Sequence, residues 1–255
     1  MSALSYAGCS DVGRRRDRNQ DRWGLDEDQG LFMVADGVAS SSDGALAAQM
    51  AIDLLPGYVG RHLDTGQSEQ PSASERLGRA VAELSDDLYA RGRTDARLAG
   101  ATTTLVAAVI TESQATIAHL GDSRAYLYRD QLLHRLTADH SLLRVLIDTG
   151  TVEAADAAAH PARGVITRHV AMKPPALPDA SVVTLMPGDR LLLCSDGLHG
   201  VLTDTVLGQI LDSRSDPNEA CTALIAAAND AGGPDNITAV VIDHPGAPTP
   251  LSPRA

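Results

Sequence analysis

The 255-residue chain carries 33 acidic against 21 basic side chains, a formal net charge of −12, and a hydrophobic fraction of 44%. That balance argues against nucleic acid or an anionic membrane surface as partner, and it supports a globular core in one large domain or two small ones. The three cysteines, Cys9, Cys194 and Cys221, show no metal or redox spacing, and an odd count makes no disulfide framework, so a reducing cytoplasm is the expected setting.

In chain order, residues 4–10 read as a first strand and residues 14–21 as a charged loop. The N-terminus shows no charged start followed by an apolar run, so no signal peptide is read, and no stretch is long and apolar enough to cross a membrane. Residues 23–25 read as a short strand, 26–30 as a turn, and 31–37 as a buried apolar strand that ends in Asp-Gly. The small polar run 40–43 is expected to cap a helix beginning near Gly44, with Leu46, Met50, Ile52, Leu54 and Leu55 toward the core. Residues 64–71 have linker composition and read as a loop between neighbouring helices. A second helix over about 74–91 places Leu77, Val81, Leu84 and Leu88 on one face.

Residues 102–110, 115–120, 125–128 and 132–136 read as strands joined by short turns, which implies antiparallel pairing. Over 140–178 two short helical patterns lead into a Pro-rich stretch. Strands return at 181–185 and 190–195, helices at 203–212 and 217–230, and a final strand at 237–242. There is no internal repeat. The expectation is an α+β fold in which antiparallel sheets are covered by helices, one domain over residues 1–244 and a disordered Pro-rich tail over 245–255.

The run 31–37 puts Asp36 at the end of a rigid strand, and Gly37, lacking Cβ, lets its carbonyl approach whatever Asp36 binds. The pattern recurs over 190–197, where an apolar run ends in Asp196-Gly197. Asp21 precedes the first run and Asp235 lies near the C-terminus. Carboxylates at strand ends, far apart in sequence, point to one oxygen-rich metal site. Such ligands select Mg²⁺ or Mn²⁺ over zinc.

Four stretches, in this order, resemble the metal-dependent Ser/Thr protein phosphatases of the protein phosphatase 2C type, in their bacterial form. They are Asp11-Val12-Gly13-Arg14-Arg15-Arg16-Asp17-Arg18-Asn19-Gln20-Asp21; Val34-Ala35-Asp36-Gly37; Gly121-Asp122-Ser123-Arg124 with Thr137-Ala138-Asp139-His140-Ser141; and Ser195-Asp196-Gly197 with Gly233-Pro234-Asp235-Asn236-Ile237-Thr238. The resemblance covers about residues 5–243. It implies a four-layer αββα sandwich of two antiparallel sheets flanked by helices. It also implies hydrolysis of phosphoserine and phosphothreonine in proteins by metal-activated water, at a centre of two or three Mn²⁺ or Mg²⁺ ions. The expected partners are phosphorylated proteins and a Ser/Thr kinase whose action the enzyme opposes, and the expected state is a cytoplasmic monomer. Carried over residue by residue, Asp36 resembles the carboxylate that bridges two ions and the Gly37 carbonyl a ligand of the second. Asp196 and Asp235 resemble the remaining carboxylate ligands of the first. Asp21 and Gln20 match groups that hold metal-bound waters, Arg16 the arginine that grips substrate phosphate, and Asp122 a ligand of a third, weaker ion shared with Asp196.

The chemistry explains this set of parts. Phosphate monoester hydrolysis needs up to ~10²¹-fold acceleration, and one acid–base side chain supplies only ~10²–10⁴-fold. Metal ions therefore carry most of the rate, and an arginine holds the phosphate by a forked contact that lysine cannot copy. Two departures from the family pattern stand out. No histidine follows Asp36-Gly37, which leaves leaving-group protonation unassigned, and His169-Val170-Ala171-Met172 replaces a small-residue ending to the flap stretch over 141–178. Asp139-His140 reads as a loop fixed by hydrogen bonds, His119 as a packed strand histidine and His199 as an exposed loop histidine. Two rivals are a catalytically silent phosphoprotein-binding module and a partner-switching phosphatase acting on anti-sigma-antagonist proteins. Retention of Asp36, Asp196, Asp235 and Arg16 opposes the first, and the Arg16-x-x-Asn19-Gln20-Asp21 pattern opposes the second.

Overall fold

Side chains alternate sides along a strand, and here both sides are apolar, so each sheet is covered twice. In β3 (Leu31–Val38), Leu31, Met33 and Ala35 face one way and Phe32 and Val34 the other. The computed structural model describes residues 4–38, 43–63, 71–153, 155–156 and 160–245. Among these, β3 pairs with β2 (Asp21–Asp26) and β5 (Leu105–Ile110), and β6 (Gln114–Leu120) and β9 (Asp179–Thr184) complete that sheet in the order β2-β3-β5-β6-β9. The two-residue β4 (Thr102–Thr103) extends it at the end of β3. The other sheet runs β1 (Ser5–Asp11), β11 (Ile237–Asp243), β10 (Arg190–Cys194), β7 (Arg124–Arg129), β8 (Leu132–Arg135). All these pairings are antiparallel.

Three apolar layers follow. Helices α1 (Gly44–Leu63) and α2 (Ala73–Gly92) bury Leu55, Leu84 and their neighbours against Leu31, Met33, Leu105 and Leu120. Phe32, Val34, Ile117, Leu191, Leu193 and Val240 fill the gap between the sheets. Helices α5 (Asp204–Ser213) and α6 (Pro217–Asp230) close the far side, with Leu207 and Leu224 on Leu192 and Val241. This is the expected α+β arrangement, two antiparallel sheets between helices. No helix among the described residues is long and apolar enough to cross a membrane.

Several expectations need adjustment. The buried face of α1 is carried by Ala47, Ala48, Ala51, Ile52, Leu55 and Val59, whereas Leu46, Met50 and Leu54 are only partly buried. The alanines let the helix lie close on the sheet and pull the packing face round from the bulky residues. The strand expected over 102–110 breaks at Thr104. Of the capping run, residues 40–42 lie outside the described residues, and Asp43 Oδ1 accepts the Leu46 N–H at 3.2 Å. Of the two helical patterns in 140–178, one forms α3 (Leu142–Asp148). Residues 154 and 157–159, most of residues 64–71, and the expected tail beyond Pro245 also lie outside the described residues. The second helix starts on a capping box, Ser72 with Glu75, one residue ahead of the expected start.

Candidate active site

Strand alternation gathers the acidic residues at one end of the gap between the sheets. Phe32 and Val34 face the gap, so Asp36, two residues on, is aimed there too. Trp23 and Leu25 give Asp21 the same direction, and Asp21 sits opposite Asp36 in the β2–β3 ladder. On the facing sheet the same parity runs from Leu191 and Leu193 to Ser195, and from Ile242 and Val240 to Thr238.

Asp21 is 1% exposed. Its Oδ2 accepts from Ser195 Oγ at 2.7 Å and from Thr238 Oγ1 at 2.8 Å, a bond across the two sheets, while its Oδ1 is buried without a partner. Burial pushes this carboxyl up to about 6 despite those two donors. The Asp36 backbone is held by the break at Thr104. Its N–H donates to Thr104 Oγ1 at 3.1 Å, and its carbonyl accepts from Thr104 N at 2.8 Å and Thr103 Oγ1 at 2.9 Å. Burial, then the charges of Asp21, Asp196, Asp122 and Asp235, keep the Asp36 carboxyl well above the ordinary range. A Cβ on Gly37 would lie 2.2 Å from the Gly44 carbonyl oxygen, so the end of β3 and the start of α1 approach this closely only without a side chain there.

Asp196 opens the one-turn helix α4 (Asp196–His199) directly after β10. Its Oδ1 is also buried and unpartnered. Burial and the neighbouring Asp235 raise its pKa, with the Asp36 side chain and then Arg16 and Arg163 working in the opposite direction. Asp235 lies in the loop between α6 and β11. Its Oδ2 accepts from Arg16 Nη2 at 2.7 Å. The next residue, Asn236, is 4% exposed and staples the N-terminal loop to this spot. Its Oδ1 accepts from Gln20 N at 2.8 Å, and its Nδ2 donates to the Val12 and Arg18 carbonyls, both at 2.9 Å. Asp122, buried in the turn between β6 and β7, is pushed up to about 7 by burial and then by the charges of Asp196 and Asp139.

Asp122, Asp196 and Asp235 open onto a cleft of roughly 800 Å³, bordered also by Arg163, His199 and Asp204. Five carboxylates thus share one end of the fold, and Arg16 is ion-paired with one of them. Two buried carboxylate oxygens lack a donor, and backbone closes tightly around Gly37. Oxygen donors with raised pKa values and orphaned lone pairs fit hard divalent cations. The carboxylates are spread more widely than a single-ion cage, for the one trio of His, Cys, Asp or Glu groups with ligand atoms within 4.8 Å among the described residues is His119, His140 and Asp179.

Residues 13–236 match the protein phosphatase 2C family. The chain belongs to that family. It is 34% identical to the serine/threonine phosphatase stp of Listeria monocytogenes over 238 residues, covering 92% of this chain and 94% of that one. The crystal structure of the Mycobacterium tuberculosis serine/threonine phosphatase PstP/Ppp superposes with a TM-score of 0.81 at 31% identity, covering 95% of this chain and 99% of that one. A PstP catalytic domain solved in complex with two manganese ions gives 0.78 at 31% identity, covering 94% and 97%. The chain is accordingly a protein serine/threonine phosphatase of the 2C type.

The phosphatase fold brings Asp21, Asp36, Asp122, Asp196 and Asp235 together and sets Arg16 at their mouth, its side chain 53% exposed. Gln20 is held beside them through its backbone. His199 departs from expectation. It is not an exposed loop residue: α4 half-buries it at the cleft, where Nε2 lies 2.9 Å from the Asp122 carbonyl and desolvation pushes the ring down to about 3. Asp139 binds Arg124 at 2.7 and 2.9 Å and also Arg135, as a loop-fixing carboxylate. His119 is packed, with Nε2 2.8 Å from the Ala138 carbonyl. The residues that reading by motif missed are those that hold the carboxylates: Thr104, Ser195, Thr238 and Asn236. The last three stand inside the quoted motifs, and extending strand parity past the apolar runs would have found Ser195 and Thr238. Nothing in the run of three threonines marks Thr104.

Proposed function

We propose that this phosphatase removes phosphate from phosphoserine and phosphothreonine of cytoplasmic proteins at a Mn²⁺ or Mg²⁺ centre, opposing a Ser/Thr kinase, as a monomer with one catalytic domain over residues 1–244. The observation that carries the reading is the set of convergent carboxylates with unpartnered buried oxygens on Asp21 and Asp196, in a family member. Two manganese ions in a relative of the same fold support the choice of metal. Asp36, the Gly37 carbonyl, Asp196 and Asp235 would hold two ions, and Asp122 with Asp196 a third. Ions bound there supply a Lewis acid that makes water nucleophilic at neutral pH and neutralises phosphate charge.

The chain's own groups do the rest. Asp21 Oδ2 is fixed by two hydroxyls, which leaves Oδ1 to accept from water beside the ions. Gln20, uncharged, serves the same water shell. Arg16 would give up Asp235 to the metal and fork onto the substrate phosphate, reached from the cleft. Asp36→Asn and Asp196→Asn test the assignment. Each is expected to lose turnover of a phosphothreonine peptide by at least ~10³-fold, together with the rise in melting temperature that Mn²⁺ gives the parent. Parent-like turnover in either variant would remove that carboxylate from the site.

A further inference from the structure

One polar cluster lies outside the carboxylate site. His119, His140 and Asp179 bring ligand atoms within 4.8 Å of one another, and the two imidazole rings stack with centroids 4.4 Å apart. A transition-metal site is the obvious reading, and the hydrogen bonds oppose it. His140 Nδ1 accepts the Gly121 N–H at 3.2 Å, so the neutral ring carries its proton on Nε2. That Nε2 lies 3.2 Å from Asp179 Oδ2, off the line of a good hydrogen bond. A metal on Nε2 would force the proton onto Nδ1, against the Gly121 N–H. Asp179 is also occupied, since Arg168 Nη1 donates to it at 2.7 Å.

What His140 does hold is Gly121. The His140 N–H donates to the Gly121 carbonyl at 3.0 Å, so one residue binds both polar groups of that backbone unit. Gly121 has φ of +110°, and a Cβ there would sit 2.6 Å from Thr104. On the other side of Asp122, Ser123 Oγ and Thr104 Oγ1 are 2.7 Å apart, and Thr104 holds the Asp36 backbone. Asp122 therefore stands between two clamped neighbours. The His140 carbonyl also accepts from Thr167 N at 2.8 Å, which ties the clamp to the segment that borders the cleft.

We infer that His140 is a positioning residue for Asp122: its Nδ1 fixes the Gly121–Asp122 turn so that the Asp122 carboxylate meets Asp196 at the rim of the cleft. The inference rests on the reading of Asp122 as ligand of a third ion. Groups one step behind a metal ligand typically change affinity by ~10–100-fold. Mn²⁺ binding to the parent, to Asp122→Ala and to three His140 variants is followed by the electron paramagnetic resonance of free Mn²⁺, with thermal melting alongside. The parent is expected to show a weak class of ion that Asp122→Ala removes. His140→Leu lacks the acceptor and His140→Gln moves it to the Nε2 end. Both are expected to weaken that class by ~10-fold or more and to leave the tighter ions unchanged. His140→Asn places Oδ1 where Nδ1 stood and should stay within about threefold of the parent. Parent-like weak binding in His140→Gln, or equal loss in the Asn and Gln variants, would overturn the positioning role. Should His140→Leu fail to fold, the Asn–Gln comparison decides. A parent with no Asp122-dependent class would overturn the third ion and the positioning role together, and the Asp122→Ala arm shows that failure by itself.

Discussion

Asn236→Ala separates holding the active site from forming it. The side chain makes three hydrogen bonds, to Gln20 N, Val12 O and Arg18 O, and is 4% exposed. At ~0.5–1.5 kcal/mol each, their loss costs about 1.5–4.5 kcal/mol. For a chain of this size that is roughly 6–12 °C of melting temperature at the middle of the range. The loop that carries Arg16 is released with it, so KM for a phosphopeptide should rise while kcat at saturating Mn²⁺ falls less. The assay is circular-dichroism melting in chelator, then kinetics on parent, Asn236→Ala, Arg16→Ala and the double variant. If Asn236 acts through Arg16, the double variant has the KM of Arg16→Ala and no more. An unchanged melting temperature, or KM effects that multiply in the double variant, would refute the reasoning.

Two further outcomes follow. Arg16→Ala alone should raise KM with a smaller effect on kcat, and it should melt like the parent because its side chain is half exposed; an unchanged KM would return Arg16 to the surface. Acidification should cost stability through His140, whose ring burial, helped by His119 and Arg168, holds at about 4. The folded value lies below the unfolded one near 6.5, so the unfolded chain binds the proton first, and stability present above about 6.5 is lost as pH falls toward 4. Between pH 7 and pH 5 the parent in chelator should lose about 2 kcal/mol more than His140→Asn, read from urea unfolding. Equal losses in the two proteins would mean that the ring takes up its proton in the fold as readily as in the unfolded chain.

The fold was largely legible because strand periodicity and turn chemistry agreed along the chain. Phe32, Val34 and their alternates fix one sheet between two apolar layers, and Ser72 with Glu75 starts α2 where its apolar face begins. The carboxylates were legible because they end apolar runs, where a rigid strand aims them. What escaped was what crosses between elements. Asp21 is gripped by Ser195 and Thr238 from the other sheet, and Asp36 by Thr104 across a strand break. Such bonds depend on register and sheet order, which no local pattern encodes. The misplacement of His199 has the same origin, since its partial burial follows from a one-turn helix set against the Asp122 turn.

The central claim is that the carboxylates at the end of the sheet gap hold the ions on which hydrolysis depends. The direct measurement is turnover of a phosphothreonine peptide by protein stripped with chelator and then titrated with Mn²⁺. The account predicts no turnover in chelator and recovery as Mn²⁺ is added, with no recovery in Asp36→Asn at any concentration of the ion. Full turnover by the parent in excess chelator, or recovery in Asp36→Asn that matches the parent, would contradict it.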